Sequence, residues 1–141
     1  MRMQEYILVR AEELTDSQSV TPEVGKRSLP PFDVLDAAHP PFLIIEESQI
    51  SNAAEVHTHK GDLWFCLEGE VAFTCGGRLI DEKKVSGYDG KELSGSGIEG
   101  GTSFTLRKGD WLWIPPGVPH QHGATAPARL IIIKMPAAAS A

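Results

Sequence analysis

Four of the five histidines in this chain of 141 residues fall into two His-x-His pairs: His57 and His59 in HTHKGDLWFCLEGE, and His120 and His122 in GDWLWIPPGVPHQH. In extended chain, residues i and i+2 project from one face with Cα atoms roughly 6.5–7 Å apart. Two imidazoles so placed can grip one ion from adjacent pleats. By the same alternation Glu55 shares the face of His57 and His59. A lone histidine beside an apolar strand is usually packed or hydrogen-bonded. Here His57, His59 and His120 each begin or end an apolar run, and a shared cation is the economical explanation. Neutral imidazoles, with or without a carboxylate, suit one divalent ion of Fe, Mn, Ni, Zn, Co or Cu, whereas Mg and Ca prefer oxygen. Three or four protein ligands leave positions open for water and a substrate.

The elements that must carry these residues are short and β-rich. EYILVR (5–10), FLIIEES (42–48), AEVHTH (54–59), LWFCLEGEVAFTCGG (63–77, two strands around Gly69), SFTLR (103–107), WLWIP (111–115), HQHG (120–123) and ARLIIIKM (128–135) each read as strand. β-branched and aromatic residues fill them, and Gly or Pro punctuates them. No amphipathic helix of ten or more residues is expected. Asp62, Trp64 and Cys66 alternate onto one side and Leu63, Phe65 and Leu67 onto the other, so this strand must be covered on both faces. The second cover must be another sheet, the N-terminal segment or another subunit. Trp111 and Trp113 share a face, with Leu112 and Ile114 opposite. The three tryptophans are read either as core or as walls of an apolar ligand pocket.

Both histidine stretches resemble the two signature motifs of the cupin superfamily. Its first motif is a glycine, then HxH, three or four residues, a glutamate, six residues and a glycine. Its second is a glycine, five residues, a proline, a short spacer and a histidine. HTH supplies His57 and His59, and counting back six residues from Gly69 reaches Asp62; Gly109, Pro115 and His120 match the second motif. The sequence departs from the pattern in having Asp62 for glutamate, only two residues between His59 and Asp62, Asn52 and Ala53 near the place of the leading glycine, and a long span between Gly69 and Gly109. The resemblance implies an all-β fold, a double-stranded β-helix or jelly-roll barrel. It also implies one metal ion held by His57, His59, Asp62 and His120, and a homodimer. His122, one pleat beyond His120, is the candidate general base or substrate contact.

A single domain is expected at this length: an N-terminal covering arm (1–41), a barrel (42–135) interrupted by a Gly-rich insertion (81–101), and a flexible tail (136–141). The insertion carries six glycines and is either functional or a solvated excursion. Cys66 and Cys75 lie among apolar neighbours and are expected as free, buried thiols. A formal charge of −6, from 13 basic and 19 acidic residues, argues against a nucleic-acid partner. Without an apolar stretch long enough to span a bilayer, or a signal-peptide core, no membrane association and a cytoplasmic location are expected. GxSxG and Walker-type motifs are absent. The expected function is therefore that of a metal-dependent enzyme, of dioxygenase, isomerase or lyase type, acting on a small-molecule ligand. The alternatives are a non-catalytic module for sensing or storage, and a barrel whose role is assembly.

Overall fold

The computed structural model describes residues 6–34 and 41–136. Short alternating segments broken by glycine leave the chain little choice but antiparallel sheet. Among the described residues fourteen strands form: β1 (Gly25–Ser28), β2 (Phe42–Ser48), β3 (Ile50–Ser51), β4 (Ala54–His57), β5 (Lys60–Glu68), β6 (Glu70–Cys75), β7 (Arg78–Ile80), β8 (Lys83–Lys84), β9 (Glu92–Gly95), β10 (Gly97–Glu99), β11 (Thr102–Arg107), β12 (Trp111–Ile114), β13 (His120–Ala124) and β14 (Ala128–Pro136). One sheet runs β1-β2-β14-β5-β12, and the facing sheet contains β11-β6-β13-β4-β9-β8. A β7–β10 ribbon lies beside them. Gly69, at φ +73°, makes the β5–β6 turn; a side chain there would strike the Pro127 carbonyl at 2.5 Å.

The inner faces of both sheets share one core. Trp64 and Cys66 from β5, Val71 and Phe73 from β6, Leu106, Ile114, and Leu130 and Ile132 from β14 are buried together. Burial along β5 follows the expected parity, with Asp62, Trp64 and Cys66 buried and Leu63, Phe65 and Leu67 only partly so.

The second face of the first sheet is covered over part of its width by the N-terminal arm. Leu29, Phe32 and Ile44 form a separate buried cluster, joined by Val9, Leu14, Val20, Phe42, Leu67 and Ile131. The arm holds a helix, α1 (Ala11–Gln18), where the sequence suggested only strand and loop, and Tyr6–Arg10 are irregular instead of extended. The helix starts because the Glu13 carboxylate accepts the Arg10 backbone N–H at 2.8 Å, and Glu12 and Glu13 place negative charge at its positive end. At and just beyond its C-terminus, the carbonyls of Gln18 and Val20 accept from the guanidinium of Arg129, which also donates through Nε to the fully buried Glu46 at 2.9 Å. Arg27 completes the cluster, with its Nε 3.0 Å from Glu46 Oε1.

The 81–101 insertion is built into the barrel. Its β9 pairs with β4 and β8 with β9, so the insertion extends the second sheet as more than a solvated excursion. At the other end β14 runs through Pro136, one residue into the segment expected as tail. Residues 137–141 and His39 lie outside the described residues.

Candidate metal centre

Register decides which side chains meet. β13 is paired with β4 at His120 opposite Glu55, so these two residues and His57 point into the barrel from one sheet. Asp62 comes from β5 in the facing sheet, opposite Ile114 on one side and Lys134 on the other. Across the gap, His57 Nε2 lies 3.5 Å from Glu55 Oε1 and 3.3 Å from Asp62 Oδ2. His120 Nε2 lies 3.4 Å from Glu55 Oε1 and 3.6 Å from Asp62 Oδ2. Donors bound at about 2.1 Å to a common ion stand roughly 3.0 Å apart at right angles and roughly 3.4 Å apart at the tetrahedral angle. The four distances match such an arrangement.

The polar bookkeeping points the same way. His57 Nε2, Asp62 Oδ2 and His120 Nε2 are buried and, among the described residues, have no hydrogen-bond partner. An unsatisfied buried polar atom costs about 1–3 kcal/mol, so three converging on one point call for a shared partner. Their other atoms are engaged. His57 Nδ1 bonds the Glu92 carboxylate, His120 Nδ1 lies 3.1 Å from the Val118 carbonyl, and Lys134 Nζ donates to Asp62 Oδ1 at 2.9 Å. Each turns its remaining donor atom toward the centre.

The electrostatics favour a cation. Burial opposes charging the His57 ring, yet the carboxylates of Asp62, Glu55 and Glu92 outweigh it and push the imidazole up to about 10. Burial likewise opposes ionisation of Glu55 and Asp62. The neighbouring rings of His120 and His57 hold Glu55 below the usual carboxylate range, and His57 and Lys134 do the same for Asp62. Positive charge is therefore stabilised where the three unpaired atoms converge.

Of the residues singled out from the sequence, His57, Asp62 and His120 are brought together and His59 is not. β4 ends at His57 and Thr58-His59 form a bend, which breaks the alternation that would have put His59 beside His57. His59 is exposed, with Nδ1 2.6 Å from Thr58 Oγ1. Glu55 takes the place on the inner face: Glu55, His57 and His120 offer ligand atoms within 4.8 Å of one another. Read from Glu55, the first motif regains its spacing. Glu55-x-His57 is followed by four residues, Asp62, six residues and Gly69. The irregular gap between His59 and Asp62 was the signal for this shift of two positions. Gln49, at φ +50°, makes the tight turn between β2 and β3 upstream of Glu55.

His122 lies in the next layer of the barrel. Its ring stacks on Phe73 and meets Trp64 edge-on, both with centroids 5.0 Å away, and its Nδ1 lies 3.0 Å from Glu47 Oε1. Asn52 Nδ2 approaches the same nitrogen at 3.2 Å. Trp64 is core, whereas Trp111 and Trp113 are 60% and 46% exposed on the outer face of β12 and wall no pocket at the centre. Above the cluster a cleft of about 250 Å³ opens between β4 and the insertion, lined by Glu55, His57, Lys60, Tyr88, Glu92 and Ser94 among others.

No protein-family model and no curated protein matches this sequence. Among solved structures, the ribosomal oxygenase YcfD from Escherichia coli superposes with a TM-score of 0.51 at 19% identity, over 70% of this chain and 23% of that one. The EutQ protein of Clostridium difficile gives a TM-score of 0.43 at 16% identity, over 68% of this chain and 51% of that one. Hydroquinone 1,2-dioxygenase from Sphingomonas sp. TTNP3, solved with 4-hydroxybenzoate bound, gives 0.46 at 15% identity, over 69% and 60%. The chain thus spans from 23% to 60% of the length of these three proteins.

Proposed function

We propose that this antiparallel β-barrel is a cupin-type double-stranded β-helix and a mononuclear metal-dependent enzyme acting on a small organic molecule, with Glu55, His57, Asp62 and His120 as the metal ligands. The observation that carries this reading is the convergence of three buried, partnerless donor atoms from three strands beside the Glu55 carboxylate. Two imidazoles and two carboxylates suit a divalent Fe, Mn, Co, Ni or Zn ion. Such an ion supplies Lewis-acid polarisation of a substrate oxygen.

The chain's own residues then define what can happen. The four ligands come from facing sheets and leave the cleft side open, where Glu55 is partly exposed. Lys60 and Tyr88 line that cleft and offer an ammonium and a phenolic O–H to an oxygen-rich substrate. Trp64, Phe73 and His122 pack against one another in the next layer of the barrel. With Nδ1 held by Glu47, His122 serves as a packed core residue in this reading, and no proton transfer is assigned to it. A cleft of about 250 Å³ limits the substrate to a small molecule. Dioxygenase, isomerase and lyase chemistry all fit a site of this kind.

The finer expectations of assembly and location belong here as well. Phe65 and Trp111, with ring centroids 4.5 Å apart, and the exposed Trp113 and Met135 leave an apolar strip on the part of the first sheet that the N-terminal arm does not cover. A second copy of the chain is the proposed cover. The free thiols of Cys66 and Cys75 suit a reducing cytoplasm, and no helix among the described residues is long and apolar enough to cross a membrane.

Metal analysis of the purified protein and of Glu55→Ala, His57→Ala and His59→Ala tests the ligand set. Loss of most of the ion in the first two variants, with retention in His59→Ala, is expected. Equal metal content in wild type and His57→Ala overturns the site. Oxygen uptake and turnover of catechols, thiols and keto acids by Fe(II)-loaded protein then separate the enzyme from a binding module; ligand binding without turnover supports the latter.

A further inference from the structure

The insertion reaches the centre through one side chain. β9 runs antiparallel to β4 with Glu92 directly opposite His57. The Oε2 of Glu92 bonds His57 at Nδ1, the nitrogen turned away from the cluster, and its Oε1 lies 3.6 Å from Lys60 Nζ. The Glu92 side chain is 13% exposed, so the contact is largely sheltered from water. A neutral imidazole carries its proton on one nitrogen and its lone pair on the other, and the hydrogen bond at one decides which. A carboxylate at Nδ1 therefore places the lone pair at Nε2, facing Glu55 and Asp62. His120 receives the same instruction from a neutral acceptor, the Val118 carbonyl. The two rings are thus held by partners of different charge.

We propose that Glu92 is a positioning residue of the metal centre. It fixes the His57 tautomer and ring orientation, and its charge makes Nε2 the more basic of the two imidazole donors. The 81–101 segment, which lengthens the span between the two motifs, is on this view the part of the chain that brings a carboxylate to a metal ligand. The inference rests on the metal-ligand reading above.

Titration with Co(II) alone tests it, followed by affinity and by the visible absorption band of the bound ion. Glu92→Ala is expected to weaken Co(II) binding by about 10- to 100-fold and to shift the band. Glu92→Gln keeps an acceptor oxygen without the charge and should recover part of the affinity. Glu99→Ala, an exposed carboxylate of the same insertion paired only with the exposed Arg78, should bind as wild type does. If Glu92→Ala only lowers the melting temperature of the metal-free protein, and Glu92→Ala and Glu92→Gln both keep wild-type affinity and band, Glu92 merely pairs two strands and the proposal fails. If Glu92→Ala does not fold, Glu92→Gln decides alone, and wild-type affinity and band in it refute the proposal. Wild-type protein that takes up no cobalt removes the metal centre itself, an outcome distinct from wild-type binding that the variants share.

Discussion

Arg129→Met should detach the N-terminal arm from the barrel. Arg129 is 3% exposed and Glu46 is fully buried, so their ion pair is shielded from solvent. The guanidinium lies 2.8 Å from Glu46 through Nη2, donates to Glu46 through Nε, and caps the carbonyls of Gln18 and Val20. Methionine retains much of the apolar stem and removes every one of these donors. Glu46 would keep only the Glu23 backbone N–H and Arg27, each at 3.0 Å. Breaking a buried pair from one side costs about 3–5 kcal/mol, because the surviving charge is left without full compensation. At about 1.4 kcal/mol per tenfold, the folding constant should fall by roughly two to three and a half orders of magnitude. Equilibrium urea unfolding followed by far-ultraviolet circular dichroism reads this, in a double-mutant cycle with Glu46→Gln. The double variant should lose less than the sum of the singles by about 0.5–3 kcal/mol. A single variant within about 1 kcal/mol of wild type, or strictly additive losses, would refute the argument.

Burial raises the Glu46 carboxyl, but the Glu23 backbone N–H, Arg129 and Arg27 outweigh it and leave it below its ordinary 4.5. Its ionised form therefore stabilises the fold fully above pH 4.5, and that contribution disappears as pH falls through the lower, folded-state value. The stability gap between wild type and Glu46→Gln should accordingly be constant at neutral pH and shrink in acid, as checked by urea titrations from pH 7 downward. In Gly61→Ala the new methyl would lie 2.2 Å from Trp113 Cη2 and 2.9 Å from the Ile114 carbonyl, so both must move. A loss of about 1–3 kcal/mol and a red-shifted tryptophan emission are expected. Trp111→Ser combined with Trp113→Ser should lower self-association without changing metal content, as measured by light scattering with metal analysis; a wild type that is monomeric at micromolar concentration would oppose the proposed second copy.

Much of the barrel was legible from local pattern alone. Phe42–Ser48, residues 128–135 and the two strands around Gly69 were visible because alternation and punctuation are properties of neighbouring residues. Helix α1 was hidden because it is eight residues long and depends on Arg129, more than a hundred positions away, for its C-terminal partners. At the site, His57 and His120 were singled out by residue type and spacing, and Asp62 by the resemblance to the cupin motif. The exchange of His59 for Glu55 did not, because strand parity holds only as far as the strand, and β4 stops at His57. Glu92 gave no local signal, since only antiparallel pairing of β9 with β4 sets it against the His57 ring. The sequence by itself determined an antiparallel barrel with imidazoles at its mouth, since side-chain alternation and chain reversal are short-range. Which carboxylates join those imidazoles was decided only by tertiary structure, because strand register and the length of each strand are settled by contacts between segments far apart in the chain.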